Sequence, residues 1–312
     1  MHVAILIPCY NEEQTIGAVI DEFQSELPDA AIYVYDNNSK DKTSEVARAH
    51  GAIVRTETRQ GKGFVLRSMF RDIDADCYVV VDGDLTYPAT FVHELIEPVI
   101  QGNANMVIGD RLSNGTYTDE NKRAFHDLGN NLVKNTINFL YKSDVKDIMT
   151  GYRAFDPLFV KTMPVMSPGF EIETEMTIHA LDKRLNVKEV PIDYQDRPEG
   201  SESKLNTYSD GFKVLRKIFT LFKEYKPLSF FTIWSVLFLV LGLAAGIPVI
   251  VEFFQTDFIT KIPSAILAVG LIVLSVLAII CGLILDTVAA NQKKQYEVEL
   301  NRIASELRRD LR

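Results

Sequence analysis

The chain has 312 residues and a formal net charge of −9 at pH 7, and 47% of its residues are hydrophobic. This composition excludes a disordered chain, and the acidic balance argues against a general nucleic-acid binder. Three cysteines (Cys9, Cys77 and Cys281), odd in number and far apart, exclude a disulfide scaffold and a cysteine-rich zinc module.

Short apolar runs alternate with helical patterns over the first 109 residues. Each run is typical of a buried strand, and the patterns between the runs have the spacing of helices. We predict strands at 3–7, 31–35, 52–55, 77–81 and 105–109, and helices at about 13–27, 43–50 and 62–73. Repeated strand–helix units predict an α/β fold with a mostly parallel sheet and helices on both faces.

Polar side chains follow three of these predicted strands at the point where each strand ends. In parallel sheets, ligands bind beyond the carboxyl ends of the strands, so these side chains are candidates for a nucleotide site. They are Pro8, Tyr10 and Glu12 after the first strand, Asp36 after the second, and Asp82, Gly83 and Asp84 after the fourth. The alternative for Asp36 is a simple turn cap.

The Asp82-Gly83-Asp84 segment has the strongest chemical signal. Two carboxylates flanking a small residue suit a hard divalent cation, Mg²⁺ or Mn²⁺, which prefers carboxylates together with substrate phosphates. The alternative is an ordinary turn, because Asp-Gly is a common turn dipeptide. The position at a strand end, beside Asp36, favours the metal site.

Lys62 lies between two glycines at the start of a predicted helix. Backbone N–H groups and a lysine at a helix start suit a phosphate, although the spacing is not that of a P-loop.

A set of cationic side chains lies in residues 110–204, and arginine is well suited to bidentate phosphate contacts. The set consists of Arg111, Arg123, Arg153, Arg197 and Lys204. The last two flank a Pro/Gly/Ser-rich stretch that predicts a loop able to close over a diphosphate. Asp147 precedes a tight turn at 150–153, and residues 170–173 precede an apolar helix and could be only its start.

Residues 227–251 and 262–285 contain no charged side chain. Each run exceeds the roughly 20 residues that cross a bilayer as a helix, so we predict two transmembrane helices rather than two buried core helices. Basic residues flank the pair while the connecting loop is net acidic, and the start of the chain lacks the basic region of a signal peptide. The positive-inside rule therefore predicts a cytoplasmic location for both termini.

Two further segments have amphipathic patterns. Residues 211–226 place four apolar side chains on one face among lysines and arginines, which predicts a helix lying in the membrane interface rather than a core-packing helix. In residues 291–312, four aliphatic side chains at helical spacing predict a helix that supports self-association or, alternatively, lies on a surface.

The order of these motifs resembles that of the polyprenyl-phosphate glycosyltransferases, inverting GT-A enzymes of glycosyltransferase family 2 of the dolichol-phosphate-mannose synthase type, especially their bacterial membrane-anchored branch. The matching segments are IPCYNEE (7–13), DNNS (36–39), GKG (61–63), DGD (82–84), GDR (109–111), DIMTGYRAF (147–155), FEIETEM (170–176) and RPEGSESKL (197–205).

These patterns, together with the resemblance, predict a domain layout in five parts. These are a GT-A (Rossmann-like) catalytic domain at 1–209, an interfacial helix at 210–226, transmembrane helices at 227–251 and 262–286, and a cytoplasmic C-terminal helix at 287–312.

The resemblance also implies roles for individual side chains. Pro8, Tyr10, Glu12 and Asp36 would hold the nucleoside, and Lys62, Gly83, Arg197 and Lys204 would complete the nucleotide site. Asp82 and Asp84 would serve the metal, Arg111 and Arg123 would hold the acceptor phosphate, and Asp147 would lie near the reaction centre. A phosphate acceptor is already largely ionised at pH 7, so Asp147 could orient a sugar hydroxyl or an arginine instead of acting as a base.

The expected reaction is the transfer of a hexose from a nucleotide sugar to undecaprenyl (polyprenyl) phosphate at the cytoplasmic membrane face, by a homo-oligomeric enzyme that makes no nucleic-acid contact. The DNNS and MTGYRAF segments resemble users of UDP-sugars, so UDP-N-acetylglucosamine is the first choice and UDP-glucose the second. A GDP-mannose-dependent mannose synthase is the alternative donor assignment. A processive polysaccharide synthase and a non-catalytic membrane adaptor are the rival classes.

Overall fold

The computed structural model describes residues 1–114, 124–169, 171–195, 219–220 and 222–310, with the backbone alone for 124–130 and 308–310. The chain divides into two compact units. The first comprises Met1–Gly211 together with Glu299–Arg312, and the second comprises Phe212–Val298.

The first unit is built on a seven-stranded sheet with the strand order β3-β2-β1-β4-β6-β5-β7. The strands are β1 (Val3–Cys9), β2 (Ala31–Asp36), β3 (Ile53–Thr56), β4 (Cys77–Val80), β5 (Met106–Asp110), β6 (Arg153–Phe155) and β7 (Val187–Pro191). β6 runs antiparallel to both of its neighbours, and the other paired strands are parallel. The mostly parallel α/β sheet expected from the sequence is therefore confirmed.

Helices alternate with the strands along the first unit. They are α1 (Ile16–Glu26), α2 (Thr43–Ala49), α3 (Lys62–Asp72), α4 (Val92–Ile100), α5 (Ala124–Tyr141), α6 (Pro157–Thr162) and α7 (Ile172–Asp182). α1 begins three residues later than the periodicity predicts. Residues 12–15 form a turn in which the backbone N–H of Thr15 donates to Glu12 O, and the Thr15 hydroxyl donates to Gly83 O.

The core lies between the central strands and the helices that cover them. β4 is buried along its whole length, and α1 buries Ile16, Ile20 and Phe23 against the sheet. Each such side chain contributes about 1.5–3 kcal/mol by leaving water. This burial gives the loops at the strand ends a rigid support.

The second unit contains two long apolar helices, α8 (Pro227–Thr256) and the larger part of α9 (Ile262–Asp310). Their most apolar windows have mean hydropathies of 2.5 and 3.0, and both helices are long enough to cross a membrane. Gly242 and Gly246 of α8 face Ala268 of α9, since a Cβ at Gly246 would lie 3.2 Å from the Ala268 Cβ. Small residues of this kind let two apolar helices approach closely.

The expected spans 227–251 and 262–286 lie inside α8 and α9. α9 continues without a break to Asp310, so the expected C-terminal helix is an extension of the second apolar helix rather than a separate element. At 1.5 Å per residue this helix is roughly 70 Å long, more than twice the thickness of a bilayer core. Most of the interfacial segment 210–226 lies outside the described residues.

Candidate functional site

The loops after β1 and β2 are tied together by hydrogen bonds. The backbone N–H of Asn37 donates to Cys9 O at 2.8 Å, and the N–H of Asn11 donates to the Ser39 hydroxyl at 2.9 Å. Asn11 and Asn38 have φ angles of 54° and 62°, a left-handed conformation that asparagine tolerates better than most residues. The asparagines of these two loops therefore set the shape of this edge.

Asp36 is buried at the end of β2, and its carboxylate caps its own turn. It accepts a hydrogen bond from the backbone N–H of Ser39 at 3.0 Å and another from the Ser44 hydroxyl at 2.8 Å. The turn-cap role is thus observed, and nucleoside binding by Asp36 stays a prediction.

Acidic side chains converge around the end of β1. Burial raises the pKa of the Cys9 thiol well above its usual value, and nearby negative charges raise it further. The charges that act on this thiol are the carboxylates of Glu12, Asp36, Asp82 and Asp84. The ends of the three strands therefore bring these carboxylates near one thiol, as expected from the parallel sheet.

The segment after β4 packs too tightly for larger side chains. A Cβ at Gly83 would lie 2.7 Å from Cys9 Sγ, and one at Gly151 would lie only 2.2 Å from Asp82 Oδ2. Asp84 is buried, with 4% of its surface exposed, and its Oδ1 accepts a hydrogen bond from the Thr86 hydroxyl at 2.6 Å. Gly151 belongs to the TGYR turn that the sequence singled out, and its role is to admit the Asp82 carboxylate.

Lys62 lies at the start of α3 with its ammonium between two carboxylates. Its Nζ is 2.5 Å from Asp82 Oδ1 and 2.6 Å from Glu173 Oε1. Burial alone would lower the pKa of this ammonium, but Asp82 and Glu173 together raise it above its usual value. Lys62 is therefore a permanent cation beside the acidic edge.

The two glycines beside Lys62 do not form the phosphate cradle that the sequence suggested. The N–H of Gly61 donates to Asn37 Oδ1 at 2.6 Å, and the N–H of Gly63 donates to Pro168 O at 3.1 Å. A Cβ at Gly63 would lie 1.8 Å from Ser167 O, so the glycines serve the close approach of two backbone segments. Lys62 is the charged group of this motif, and both of its described ion pairs are with carboxylates.

Glu173, in the first turn of α7, is a component of the site that the sequence left as a helix start. Its side chain is buried, and burial raises the pKa of its carboxyl, an effect that Lys62 opposes. Its Oε2 has no hydrogen-bond partner among the residues that the structure describes. The only sequence signal is its place in the FEIETEM segment, which does not reveal its partner.

Arg111 and Asp147 form a buried bidentate ion pair. Arg111 Nε donates to Asp147 Oδ2 at 2.7 Å, and its Nη2 donates to Oδ1 at 3.0 Å. Burial alone would raise the pKa of Asp147, but the Arg111 guanidinium holds it below the usual value. The guanidinium also lies over the ring of Tyr194, 5.5 Å from its centroid.

Arg153 is fully buried, and its inclusion among the phosphate-binding cations is wrong. It lies on β6, in the interior of the sheet, where its guanidinium donates to Ile148 O, Thr150 O and the Thr177 hydroxyl. Burial lowers its pKa to about 10. Its hydrogen bonds shape the loop before β6 and leave it away from solvent.

The remaining predicted site residues divide between the described and undescribed parts of the chain. Pro8, Tyr10 and Glu12 are half-buried at the end of β1 and its loop. Arg123, Arg197 and Lys204 lie outside the described residues.

The residues fit a divalent cation only in part. Within the described ranges there is no cluster of three or more His, Cys, Asp or Glu arranged for a metal. Asp82 and Asp84 offer hard carboxylate oxygens, which is the donor chemistry that Mg²⁺ and Mn²⁺ prefer. Two carboxylates suit a cation whose other positions are filled by phosphate oxygens and water.

Comparison with known proteins adds the family context. Residues 4–157 match Glycosyl transferase family 2. The chain is 35% identical over 233 residues to glycosyltransferase AglJ of Haloferax volcanii, covering 73% of this chain and 75% of that protein. It is 28% identical over 216 residues to a dolichyl-phosphate hexose transferase of the same organism, covering 69% of this chain and 92% of that protein.

The fold itself is also found among solved structures. Glucosyl-3-phosphoglycerate synthase of Mycobacterium tuberculosis superposes with a TM-score of 0.56 at 23% identity, covering 71% of this chain and 80% of that one. A crystal structure of the same enzyme with Mn²⁺, uridine diphosphate and phosphoglyceric acid superposes with a TM-score of 0.55 at 24% identity, with coverages of 71% and 78%.

Proposed function

Because the chain belongs to glycosyl transferase family 2 and is a glycosyltransferase, we propose that it transfers a hexose from a nucleotide sugar to a polyprenyl phosphate, undecaprenyl phosphate in a bacterium. One observation carries this function: the acidic strand ends around Asp82 and Asp84 lie in the same unit as the buried Arg111–Asp147 pair. The dolichyl-phosphate hexose transferase among its relatives supports the lipid acceptor.

The donor we favour is UDP-N-acetylglucosamine, followed by UDP-glucose. The Asp36-Asn37-Asn38-Ser39 loop supports a uridine nucleotide through the resemblance described above, and the enzyme of similar fold is crystallised with uridine diphosphate. A dolichol-phosphate mannosyltransferase of Pyrococcus furiosus is 28% identical over 232 residues, covering 72% of this chain and 64% of that protein. GDP-mannose is therefore the second candidate donor.

Asp84 and Asp82 would hold the divalent cation. Bound there, Mg²⁺ or Mn²⁺ would supply positive charge that neutralises the departing diphosphate. Both carboxylates already have partners, since Asp82 Oδ1 contacts Lys62 and Asp84 Oδ1 accepts from the Thr86 hydroxyl. The Mn²⁺ in the enzyme of similar fold supports this assignment.

The transfer itself is an inverting displacement at the anomeric carbon. An oxygen of the acceptor phosphate attacks that carbon as its bond to the nucleoside diphosphate breaks, and the diphosphate leaves with the bonding electrons. A phosphate monoester is largely ionised at pH 7, because its second pKa is near 6, so no base needs to remove a proton. Asp147, paired with Arg111 and of lowered pKa, is a weak base, and its role is to orient that arginine.

Arg111 and Arg123 are the groups that we assign to the acceptor phosphate, because guanidinium groups match a phosphate in bidentate geometry. Arg111 keeps its pair with Asp147 in this assignment. The other edge of its guanidinium, oriented by that pair, would face the acceptor phosphate. Arg197 and Lys204 would close over the diphosphate of the donor.

The location that we infer is a cell membrane, with the catalytic unit and both termini in the cytoplasm. Helices α8 and α9 are apolar enough to span a bilayer, and the polyprenyl acceptor is itself a membrane lipid. The flanking lysines and arginines, with an acidic connecting loop, support the orientation. Self-association through residues 291–312 is part of the same proposal.

The decisive experiment incubates membranes that contain the protein with a panel of labelled nucleotide sugars, followed by extraction of the lipid product. We expect a labelled polyprenyl-phosphate hexose with a UDP-sugar, and no product with the variant Asp84→Asn. Label released as free sugar, or polymer in place of a single transferred hexose, would contradict the proposed acceptor. Absence of any turnover with every donor would favour a non-catalytic membrane adaptor.

A further inference from the structure

Three charged side chains, Lys62, Asp82 and Glu173, form a fork of two ion pairs at the proposed cation site. The Lys62 ammonium is 2.5 Å from Asp82 Oδ1 and 2.6 Å from Glu173 Oε1. The Lys62 and Glu173 side chains are 8% and 5% exposed, whereas that of Asp82 is 27% exposed. The two carboxylates come from the end of β4 and from the first turn of α7, so the fork joins elements that are far apart in the sequence.

Lys62 and a divalent cation would compete for the same carboxylate. Asp82 cannot serve both without bringing them close together, because its two oxygens belong to one carboxylate and its Oδ2 lies beside Gly151, 2.2 Å from the position that a Cβ there would occupy. Two positive charges at one carboxylate repel each other strongly when both are shielded from water. Binding of a cation at Asp82 therefore requires the lysine to withdraw from Asp82 Oδ1.

Glu173 has the acceptor that this withdrawal needs. Its Oε1 already binds the ammonium, and its Oε2 is buried with no hydrogen-bond partner in the described part of the chain. An ammonium that leaves Asp82 can donate to both oxygens of Glu173 and so keep its hydrogen bonds and its counter-charge. A buried unpaired carboxylate oxygen is costly, so its presence beside the fork calls for such an explanation.

We propose that Lys62 is a built-in placeholder cation for Asp82, and that Glu173 is the positioning residue that retains Lys62 when a divalent cation takes its place. This inference rests on the proposed cation site at Asp82 and Asp84. In this proposal, Lys62 offsets the negative charge of Asp82 before the donor and the cation bind. Glu173 then has a role that acts through Lys62 rather than through contact with substrate.

Substitutions in the fork have opposite effects on cation affinity. Lys62→Met removes the competitor, so Mn²⁺ should bind about tenfold more tightly. Glu173→Gln removes the alternative counter-charge, so the ammonium stays at Asp82 and Mn²⁺ should bind about tenfold more weakly. The double variant should bind Mn²⁺ as Lys62→Met does, because Glu173 acts only through the lysine.

The measurement is a Mn²⁺ binding isotherm on the full-length protein in detergent, without nucleotide, read by the electron paramagnetic resonance of free Mn²⁺. Glu175→Gln is the matched control. Glu175 lies in the same turn of α7, and its carboxylate accepts from the N–H groups of Met166 and Ser167. This control should bind Mn²⁺ as the wild type does.

The outcomes separate this inference from the cation site on which it depends. If Asp84→Asn leaves Mn²⁺ binding unchanged, the cation site itself is wrong. If Asp84→Asn abolishes binding but Lys62→Met weakens it or leaves it unchanged, the cation site stands and the placeholder role is overturned. Unequal affinities of Lys62→Met and the double variant would overturn the positioning role of Glu173. If Glu173→Gln does not fold, the Mn²⁺ affinity of Lys62→Met is sufficient to test the placeholder role.

Discussion

The buried pair of Arg111 and Asp147 gives the sharpest test of the proposed acceptor side of the site. The variant Asp147→Asn keeps the shape of the side chain but removes the charge that Arg111 faces across two hydrogen bonds of 2.7 and 3.0 Å. Removing one partner of a buried ion pair costs about 3–5 kcal/mol, because the other charge stays buried without compensation. For a domain of this size, each kcal/mol lowers Tm by about 2–4 °C, so we expect a loss of roughly 6–20 °C.

The double variant Asp147→Asn/Arg111→Met removes both charges and should recover part of this loss, since no uncompensated charge remains. Thermal unfolding of the full-length protein in detergent, followed by circular dichroism, measures both values. The buried-pair reasoning is refuted if Asp147→Asn is as stable as the wild type. It is also refuted if the double variant loses more stability than the two single variants lose together.

The same pair predicts how stability and activity depend on pH. The pKa of Asp147 is below its usual value of 3.8 in the folded protein, so its ionisation stabilises the fold above pH 3.8, and this contribution is lost as pH falls through the lower folded pKa. Between pH 5 and 8 the contribution is constant. The loss of transfer activity in Asp147→Asn should therefore be independent of pH in this range, and Arg111→Lys should lose activity similarly. A wild-type rate that titrates in this range, with the titration lost in Asp147→Asn, would instead indicate a general base.

Three further substitutions and one deletion test other parts of the protein. Asp84→Asn should abolish transfer with Mg²⁺ or Mn²⁺ while the protein stays folded and membrane-bound, and near-normal turnover would exclude it as a metal ligand. Gly151→Ala should lower turnover at least tenfold because its Cβ would displace the Asp82 carboxylate, whereas Gly270→Ala, where a Cβ meets nothing within 4 Å, should leave it unchanged. Arg123→Ala should raise the acceptor KM about tenfold or more, a loss of roughly 1.5–3 kcal/mol, with donor affinity kept, and the reverse pattern would exchange the two roles. Deletion of residues 297–312 should reduce the mass of the detergent-solubilised oligomer by light scattering, and an unchanged mass would argue against self-association through this segment.

Burial explains most of the strands that could be predicted from sequence, although β3 was predicted as well and is largely exposed. β1, β2, β4 and β5 read as continuous apolar runs because helices cover the sheet on each side. β7 was missed since its residues, Val187–Pro191, are only partly buried at the edge of the sheet and include Lys188 and Glu189. α4 was missed as well, with Pro98 inside its pattern.

The site was predictable where it depends on local sequence and not where it depends on distant pairs. The acidic residues follow their strands directly, so their convergence could be inferred from the parallel sheet alone. The contact of Lys62 with Glu173 joins residues 111 positions apart, and no periodicity or spacing reveals it. Arg153 was assigned to phosphate because a solvated arginine and a buried one look alike in a sequence, and its burial follows from the place of β6 inside the sheet.

The direction of β6 explains how the two sides of the site come together. A parallel strand presents its carboxyl end to the active edge, whereas β6, being antiparallel to β4 and β5, presents the loop that precedes it. That loop runs from Asp147, which holds Arg111, to Gly151, which admits the Asp82 carboxylate. Arg153 fixes this loop by donating to Ile148 O at 2.6 Å and to Thr150 O at 3.1 Å. A single reversed strand therefore brings the Arg111–Asp147 pair, proposed for the acceptor, and Asp82, proposed for the cation, to one loop, and the buried Arg153 holds that loop in place.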